Sequence, residues 1–216
     1  MDDFIQWNSW WTQQYRPKIE GGNRFYTTKT ALNLLIQRGG MNIVETGTAR
    51  LRDDFAGAGM ATITFGDFCK RYDKHLWTVE ILPEAIALSK RLTIEFQDAI
   101  TYVTGDSVEF LSTFPGRIDL LYLDSADCPD GDAEPERLQH SQEHQLREMG
   151  AAWDKLHEQS IILLDDNDSA NGGKSALTNK LLAEHGWMCL MADKQVLWIW
   201  DSKIQFRAQC PGWTSL

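Results

Sequence analysis

The sequence predicts a doubly wound α/β fold: a seven-stranded, mostly parallel sheet with helices on both faces. From Asn42 onward, short apolar runs alternate with amphipathic stretches, the order produced by parallel strands that crossover helices connect. The last two runs are separated only by residues 192–195, too few for a helix, so we expect them to pair antiparallel as a hairpin. With 216 residues, 43% of them hydrophobic, the chain has the size and composition of one globular domain.

The expected strands are short apolar runs bounded by turn-forming or charged residues. They cover residues 42–45, 75–81, 100–104, 118–124, 161–165, 187–191 and 196–200. The intervening helices show apolar residues at helical spacing and cover residues 59–72, 83–93, 107–114, 134–156 and 173–185. A further helix over residues 28–38 leads into the first strand and is closed by Gly39 and Gly40.

Ahead of the sheet, four aromatic residues recur at helical spacing and give a short helix an aromatic stripe. They are Phe4, Trp7, Trp11 and Tyr15. The stripe could pack against the domain or a second subunit, or it could line an acceptor pocket as a lid. We therefore divide the chain into an N-terminal helical cap (1–40), a cofactor-binding domain (41–205) and a C-terminal tail (206–216).

The charge balance argues against several classes of partner. The chain has 21 Lys and Arg against 31 Asp and Glu, a net charge of −10, without a basic cluster that could neutralise a row of phosphates. No run reaches the roughly 18 apolar residues of a membrane span, and the start, Met1-Asp2-Asp3, is acidic where a signal peptide would be basic. We expect a cytoplasmic protein with no nucleic-acid or membrane partner, while homo-oligomerisation stays open.

The first strand is followed by a loop that suits a positively charged ligand. In doubly wound sheets, ligands bind beyond the carboxyl ends of the strands, and glycine lets the backbone approach them closely. Glu45 would repel the pyrophosphate of a dinucleotide, but it suits the ammonium and sulfonium groups of S-adenosylmethionine (SAM). Charge therefore favours SAM over NAD, with cofactor contacts at Glu45, Gly47 and Thr48.

The second and third strands also end in polar residues that suit an adenosine cofactor. Glu80 can accept hydrogen bonds from both ribose hydroxyls. Asp106 and Ser107 follow the third strand and could contact the adenine edge. The alternative for Asp106 is that it only caps the following helix.

The fourth and fifth strands end in carboxylates that neighbouring strands would bring together. Such charges repel unless a cation neutralises them, and hard oxygen ligands select Mg²⁺, Mn²⁺ or Ca²⁺. We assign a divalent metal, Mg²⁺ first, to Asp124, Asp165 and Asp166, with Asn167 competing for a place. The cation would bind an acceptor hydroxyl and lower its pKa, which makes Asp124 a catalytic residue. Alternatively, several of these acids cap the following helices or lie in solvent.

The segment from His140 to His144 matches the HxxEH pattern of inverted zinc metalloproteases. So short a pattern arises easily by chance, and a protease would leave the acids at the strand ends without a role. His144, with Glu148 four residues on, is instead our candidate for a general base near the acceptor. An exposed helix face is the alternative.

These strand ends together carry a resemblance to a known family. The residues concerned are Val44 to Thr48, Glu80, Asp106-Ser107, Asp124, and Asp165-Asp166-Asn167 with Gly172-Gly173-Lys174. They resemble class I SAM-dependent methyltransferases, in particular the metal-dependent O-methyltransferases of the catechol and macrocin types, over residues 31–200. The resemblance implies a Rossmann-like sheet, SAM contacts at Glu45, Gly47, Glu80 and Ser107, and metal ligands at Asp124, Asp165 and Asp166.

The predicted function is therefore the transfer of a methyl group from SAM to a hydroxyl of a small molecule or sugar, assisted by a divalent cation. The nine tryptophans would suit stacking on such an acceptor, although most are expected in the core. The alternatives are a metal-independent N- or O-methyltransferase and a catalytically inactive methyltransferase-like binding domain. A nicotinamide-dependent reductase is disfavoured because no complete GxGxxG follows the first strand.

Overall fold

The structure is a computed structural model that describes residues 2–19, 24–51, 54–55, 57, 60–127, 134–168 and 170–200. The predicted C-terminal tail (206–216) lies outside this part of the chain. The helices are α1 (Asp2–Tyr15), α2 (Arg24–Gln37), α3 (Met60–Tyr72), α4 (Pro83–Leu92), α5 (Ser107–Thr113), α6 (Pro135–Ala152) and α7 (Ala176–Glu184). The strands are β1 (Asn42–Thr46), β2 (His75–Glu80), β3 (Ile100–Thr104), β4 (Leu120–Leu123), β5 (Ile161–Leu164), β6 (Met188–Ala192) and β7 (Val196–Ile199).

The seven strands form one sheet in the order β3-β2-β1-β4-β5-β7-β6. The first five strands run parallel, and β7 pairs antiparallel with both β5 and β6. The predicted fold class, including the C-terminal antiparallel hairpin, is confirmed. The strand order reverses between β1 and β4, and a crevice opens at such a point in doubly wound sheets. Thr46 pairs with Leu123, so the ends of β1 and β4 lie side by side.

The two central strands read as continuous apolar runs because helices cover both faces of the sheet. Every residue of β4 (LLYL) and β5 (IILL) is buried. One apolar core lies between the sheet and the N-terminal helices with α3, and it includes Phe65 and Phe68. The other lies under α5, α6 and α7 and includes Leu111, Met149 and Leu182. The sheet is thus a rigid platform whose strand ends carry the polar residues.

The aromatic stripe of α1 packs onto the domain. Trp7 and Trp11 are completely buried, and Trp7 makes edge contacts with Phe68 and Tyr72 of α3, with ring centroids 5.1 and 5.6 Å apart. Burial of each large aromatic side chain contributes about 1.5–3 kcal/mol. Tyr15 adds a hydrogen bond from its hydroxyl to Asp67 Oδ2 at 2.6 Å. The side chain of Phe4 lies outside the described residues.

Two predicted elements begin later than the pattern indicated. Residue 118 does not join β4, because Ile118 N donates to Lys155 O. The regular strand begins at Leu120, although the backbone of Asp119 already bonds to Asn42 O and Ile161 N of the neighbouring strands. The helix predicted from residue 173 begins at Ala176, since the preceding residues form a 3-10 turn. In the described residues, no helix is both long and apolar enough to cross a membrane.

Candidate functional site

Gly47 fixes the loop that follows β1. Its φ is +85°, and a Cβ added there would lie 2.8 Å from the carbonyl oxygen of Asp124, so only glycine fits. Gly47 N donates to Val79 O at 2.9 Å, and Thr78 Oγ1 donates to Gly47 O at 2.9 Å. The loop is therefore held between the ends of β2 and β4.

Two cavities open beside this loop. The first, of about 210 Å³, is lined by Glu45, Gly47, Thr48, Glu80 and Asp124, among others. The second, of about 190 Å³, reaches the end of β3, where it is lined by Gly105, Asp106, Ser107, His140 and His144. The cavities share five lining residues: Gly47, Glu80, Ile81, Ser125 and Ala126. Each alone is smaller than the roughly 300 Å³ of typical ligand pockets, so a ligand of nucleoside size would span both.

Glu45 forms a buried acidic wall of the first cavity. Its side chain is 2% exposed, Thr62 Oγ1 donates to its Oε1 at 3.0 Å, and its Oε2 has no hydrogen-bond partner among the described residues. Burial raises the pKa of Glu45 to about 8, against hydrogen bonds that favour the charged form. A buried carboxyl oxygen without a partner is costly, and a cationic or hydrogen-donating ligand would satisfy it.

The other predicted cofactor residues line one or both of these two cavities. Glu80 accepts from Leu82 N at 3.0 Å through Oε1. Asp106 caps α5, with Glu109 N donating to its Oδ1 at 2.9 Å, so one of its oxygens has the structural role that was the alternative. Thr48 donates to Ser89 Oγ at 2.8 Å.

His144 lies at the β3 end of the site, away from the acids of β5. Its Nε2 is 3.2 Å from Ser107 Oγ and 3.4 Å from Glu148 Oε1. Both Ser107 and His144 line the second cavity, so this histidine neighbours the predicted adenine end. The alternative of an exposed helix face does not hold for His144, whose side chain is only 16% exposed. Glu143 of the HxxEH pattern is exposed and accepts from Gln139.

Asp165 is saturated with hydrogen bonds from the protein itself. Its Oδ1 accepts from Arg24 Nη2 at 2.8 Å, Arg24 Nε at 3.1 Å and Asp166 N at 2.8 Å. Its Oδ2 accepts from the Tyr122 hydroxyl and from Gln195 Nε2 at 3.1 Å. Burial alone would raise the pKa of Asp165, but Arg24 and the Tyr122 hydrogen bond lower it overall. Five donors exhaust the roughly four lone-pair directions of a carboxylate.

The other two predicted metal ligands converge on Lys174. Its Nζ lies 3.0 Å from Asp124 Oδ1 and 3.2 Å from Asp166 Oδ2. Burial disfavours the charged lysine, but Asp124 and Asp166 raise its pKa above the ordinary value. Burial raises the pKa of Asp124 to about 7, and the positive charge of Lys174 opposes that rise. Asn167 is turned away, because its Oδ1 accepts from Asn179 Nδ2.

These contacts do not fit a divalent metal. Lys174 and Arg24 already offset two of the three carboxylate charges, and they contact carboxylate oxygens that a cation would need. Within the described part of the chain, no group of three or more His, Cys, Asp or Glu residues is arranged to hold a metal ion. Asp165 and Asp166 also lie outside the lining of the two cavities.

Sequence reasoning missed the residues that neutralise these acids. Arg24 and Gln195 lie 141 and 30 positions from Asp165, and no local pattern connects them to it. Lys174 was part of the resemblance, but nothing in its spacing indicated an ion pair with Asp124, 50 positions earlier. The helix predicted ahead of the sheet began at residue 28, whereas α2 begins at Arg24, so the prediction left Arg24 outside this helix.

Comparison with known proteins agrees with this geometry. Residues 56–167, just over half of the chain, match a family model described as a methyltransferase domain. No curated protein sequence matches the chain.

Several solved structures share the fold at low sequence identity. The SAH-bound Podospora anserina methyltransferase PaMTH1 is 18% identical, with 94% of this chain and 89% of that chain covered and a TM-score of 0.55. CalS11, a TDP-rhamnose 3'-O-methyltransferase in calicheamicin biosynthesis, is 14% identical, with 93% and 94% covered and a TM-score of 0.57. MycE from the mycinamycin pathway, solved with Mg, SAH and mycinamycin VI, is 12% identical, with 91% and 54% covered and a TM-score of 0.56.

At these identities the solved structures support the fold alone, and the family match supplies the membership. The family match confirms the predicted resemblance to methyltransferases, and the similar structures confirm the Rossmann-like fold that the resemblance implied. The chain therefore belongs to the methyltransferase domain family.

Proposed function

We propose that this chain binds SAM across the ends of β1, β2 and β3 and transfers its methyl group to a hydroxyl of a small molecule or sugar. The observation that carries the proposal is the pair of adjacent cavities, one lined by Glu45 and the other by Ser107, with Gly47 and Glu80 lining both. When bound, SAM supplies a methyl group activated by a positively charged sulfur. Family membership supports this donor, as does the SAH in the similar PaMTH1 structure.

The acidic lining supports a cationic nucleoside rather than a dinucleotide. In the proposed arrangement, Glu80 accepts hydrogen bonds from the ribose hydroxyls, while Ser107 and His144 contact the adenine end. Glu45 and its unpartnered Oε2 lie at the β1 end, where they favour the positive end of the cofactor. A pyrophosphate at the same place would meet a buried carboxyl group.

The acceptor would enter beside Asp124, Ser125 and Asp127, which line the first cavity where it borders the end of β4. In an O-methylation the methyl group passes from sulfur to the acceptor oxygen, and the hydroxyl proton must leave. We assign that proton to the Asp124 carboxylate, which can pass it to solvent. A sugar acceptor is supported by the likeness to the TDP-rhamnose enzyme CalS11, at the level of fold. The proposed reaction uses no metal ion, because the carboxylates that were predicted to bind a metal are in contact with Lys174 and Arg24 instead.

Calorimetric titration with SAM tests the binding part. Glu80→Gln should weaken SAM binding about 10- to 100-fold, because hydrogen bonds to a charged group contribute about 1.5–3 kcal/mol. Glu84→Gln is the matched control: it makes the same change on an exposed first-turn residue of α4, and it should leave affinity unchanged. The proposal would be refuted if millimolar SAM produced no heat and no thermal shift. Binding without turnover on a panel of hydroxylated acceptors would favour the inactive binding domain.

A further inference from the structure

The acids at the ends of β4 and β5 surround an ammonium group in a way that resembles a cation site. Four oxygens lie around Lys174 Nζ: Asp124 Oδ1 at 3.0 Å, Asp166 Oδ2 at 3.2 Å, Ser125 O at 3.2 Å and Ala126 O at 3.4 Å. Two carboxylates and two backbone carbonyls are the ligand types that hard cations prefer in proteins. The lysine side chain is 1% exposed, so water supplies little of its solvation.

The backbone is strained where it presents these oxygens. Among the described residues, three that are not glycine have positive φ, and two of them belong to this cluster: Ala126 at 52° and Asp166 at 56°. Such conformations cost about 1–3 kcal/mol each and persist where surrounding interactions hold them. Ala126 gives its carbonyl to Lys174, and Asp166 gives both its side chain and its carbonyl, which accepts from Lys174 N at 2.9 Å. Both strained residues thus converge on the same lysine.

We infer that Lys174 takes the place of a divalent cation at the ends of β4 and β5, so that this chain binds no metal there. With regard to catalysis, the inference rests on the proposed function: methyl transfer by this chain would then run without a divalent metal. Lys174 lies outside the lining of the first cavity, behind Asp124, Ser125 and Ala126, which do line it. It is therefore a positioning residue that holds the cavity wall and does not touch the acceptor.

A second cationic side chain, that of Arg24, adds to the neutralisation. The Arg24 guanidinium donates twice to Asp165 and also approaches Asp166 Oδ1 at 3.4 Å. A divalent ion would have to displace the buried lysine and break bonds to the same carboxylates. Removing one partner of a buried ion pair leaves a buried charge uncompensated, which is strongly unfavourable. The same argument predicts that the site gains affinity for a metal once the lysine charge is removed.

Binding of Mn²⁺, followed by its electron paramagnetic resonance signal and without SAM or acceptor, tests this inference. The wild-type chain should leave the free Mn²⁺ signal unchanged up to millimolar concentrations. Lys174→Met removes the ammonium group, keeps an unbranched side chain one atom shorter, and leaves Asp124 and Asp166 with the two carbonyls. It should bind Mn²⁺ at least tenfold more tightly than the wild type (a shift of about 1.4 kcal/mol). The double variant with Asp166→Asn should lose that gain.

Lys194→Met is the matched control, since it removes an equal charge from a half-buried pair with Asp168 outside the cluster. It should not gain Mn²⁺ binding. Should Lys174→Met fail to fold, the wild-type measurement decides: stoichiometric Mn²⁺ binding in the micromolar range that Asp166→Asn abolishes would overturn the inference. Turnover that disappears on chelation and returns with Mg²⁺ would also overturn it. Failure of SAM binding, by contrast, would refute only the proposed function.

Discussion

Substitution of Gly47 tests how tightly the ends of β1 and β4 are packed. Gly47→Ala places a methyl group 2.8 Å from the carbonyl oxygen of Asp124, at a residue whose φ is +85°. A positive φ costs a residue with a side chain about 1–2 kcal/mol, and overpacking adds about 1–3 kcal/mol. We therefore expect Gly47→Ala to lower the free energy of unfolding by about 2–5 kcal/mol, a large share of the 5–15 kcal/mol typical of domains.

Urea unfolding followed by circular dichroism measures this loss as a lower midpoint with an unchanged slope. Gly150→Ala is the matched control: the added methyl group meets nothing within 4 Å, and residue 150 lies in α6. That variant should be more stable than the wild type by about 0.5–1 kcal/mol, because alanine is the better helix former. Equal stability of Gly47→Ala and the wild type would refute the close approach of the two strand ends.

Two further predictions concern the buried charges. Since burial raises the pKa of Glu45 to about 8, its carboxyl group is mostly protonated at pH 7, and binding of a cationic cofactor, which favours the charged form, should release up to about one proton. Calorimetry in buffers of different ionisation enthalpy measures this release, and Glu45→Gln should abolish it. A binding heat of the wild type that does not depend on the buffer would contradict the prediction. Arg24→Met should destabilise the fold by about 3–5 kcal/mol because it leaves the buried Asp165 carboxylate without the Arg24 guanidinium. Arg91→Met, at an exposed position, should change stability by less than about 0.5 kcal/mol. Because the pKa of Asp165 is lowered in the fold, the stability contributed by its pairing is present above about pH 4 and is lost as the pH falls through the folded pKa, so the wild type and Arg24→Met should converge in acid.

The fold could be predicted because its signals are local. Apolar runs such as Ile161–Leu164 and the short connection before Val196 fix strands and hairpin within a few residues of sequence. The same holds for the cofactor side, where Glu45, Gly47 and Glu80 each follow a strand end directly. Parallel strands place their carboxyl ends at one edge, so these residues meet whatever the details of packing.

The sequence by itself therefore determined the architecture, the family and the strand ends that line the two adjacent cavities. It also placed Asp124 and Asp166 near each other, but it could not decide what neutralises them. That was decided by tertiary structure, which brings Lys174 between these two acids and Arg24 from an N-terminal helix onto Asp165. The physical reason is that a carboxylate at a strand end attracts any cation, and whether a metal ion or a distant side chain supplies it depends on contacts between residues far apart in the chain.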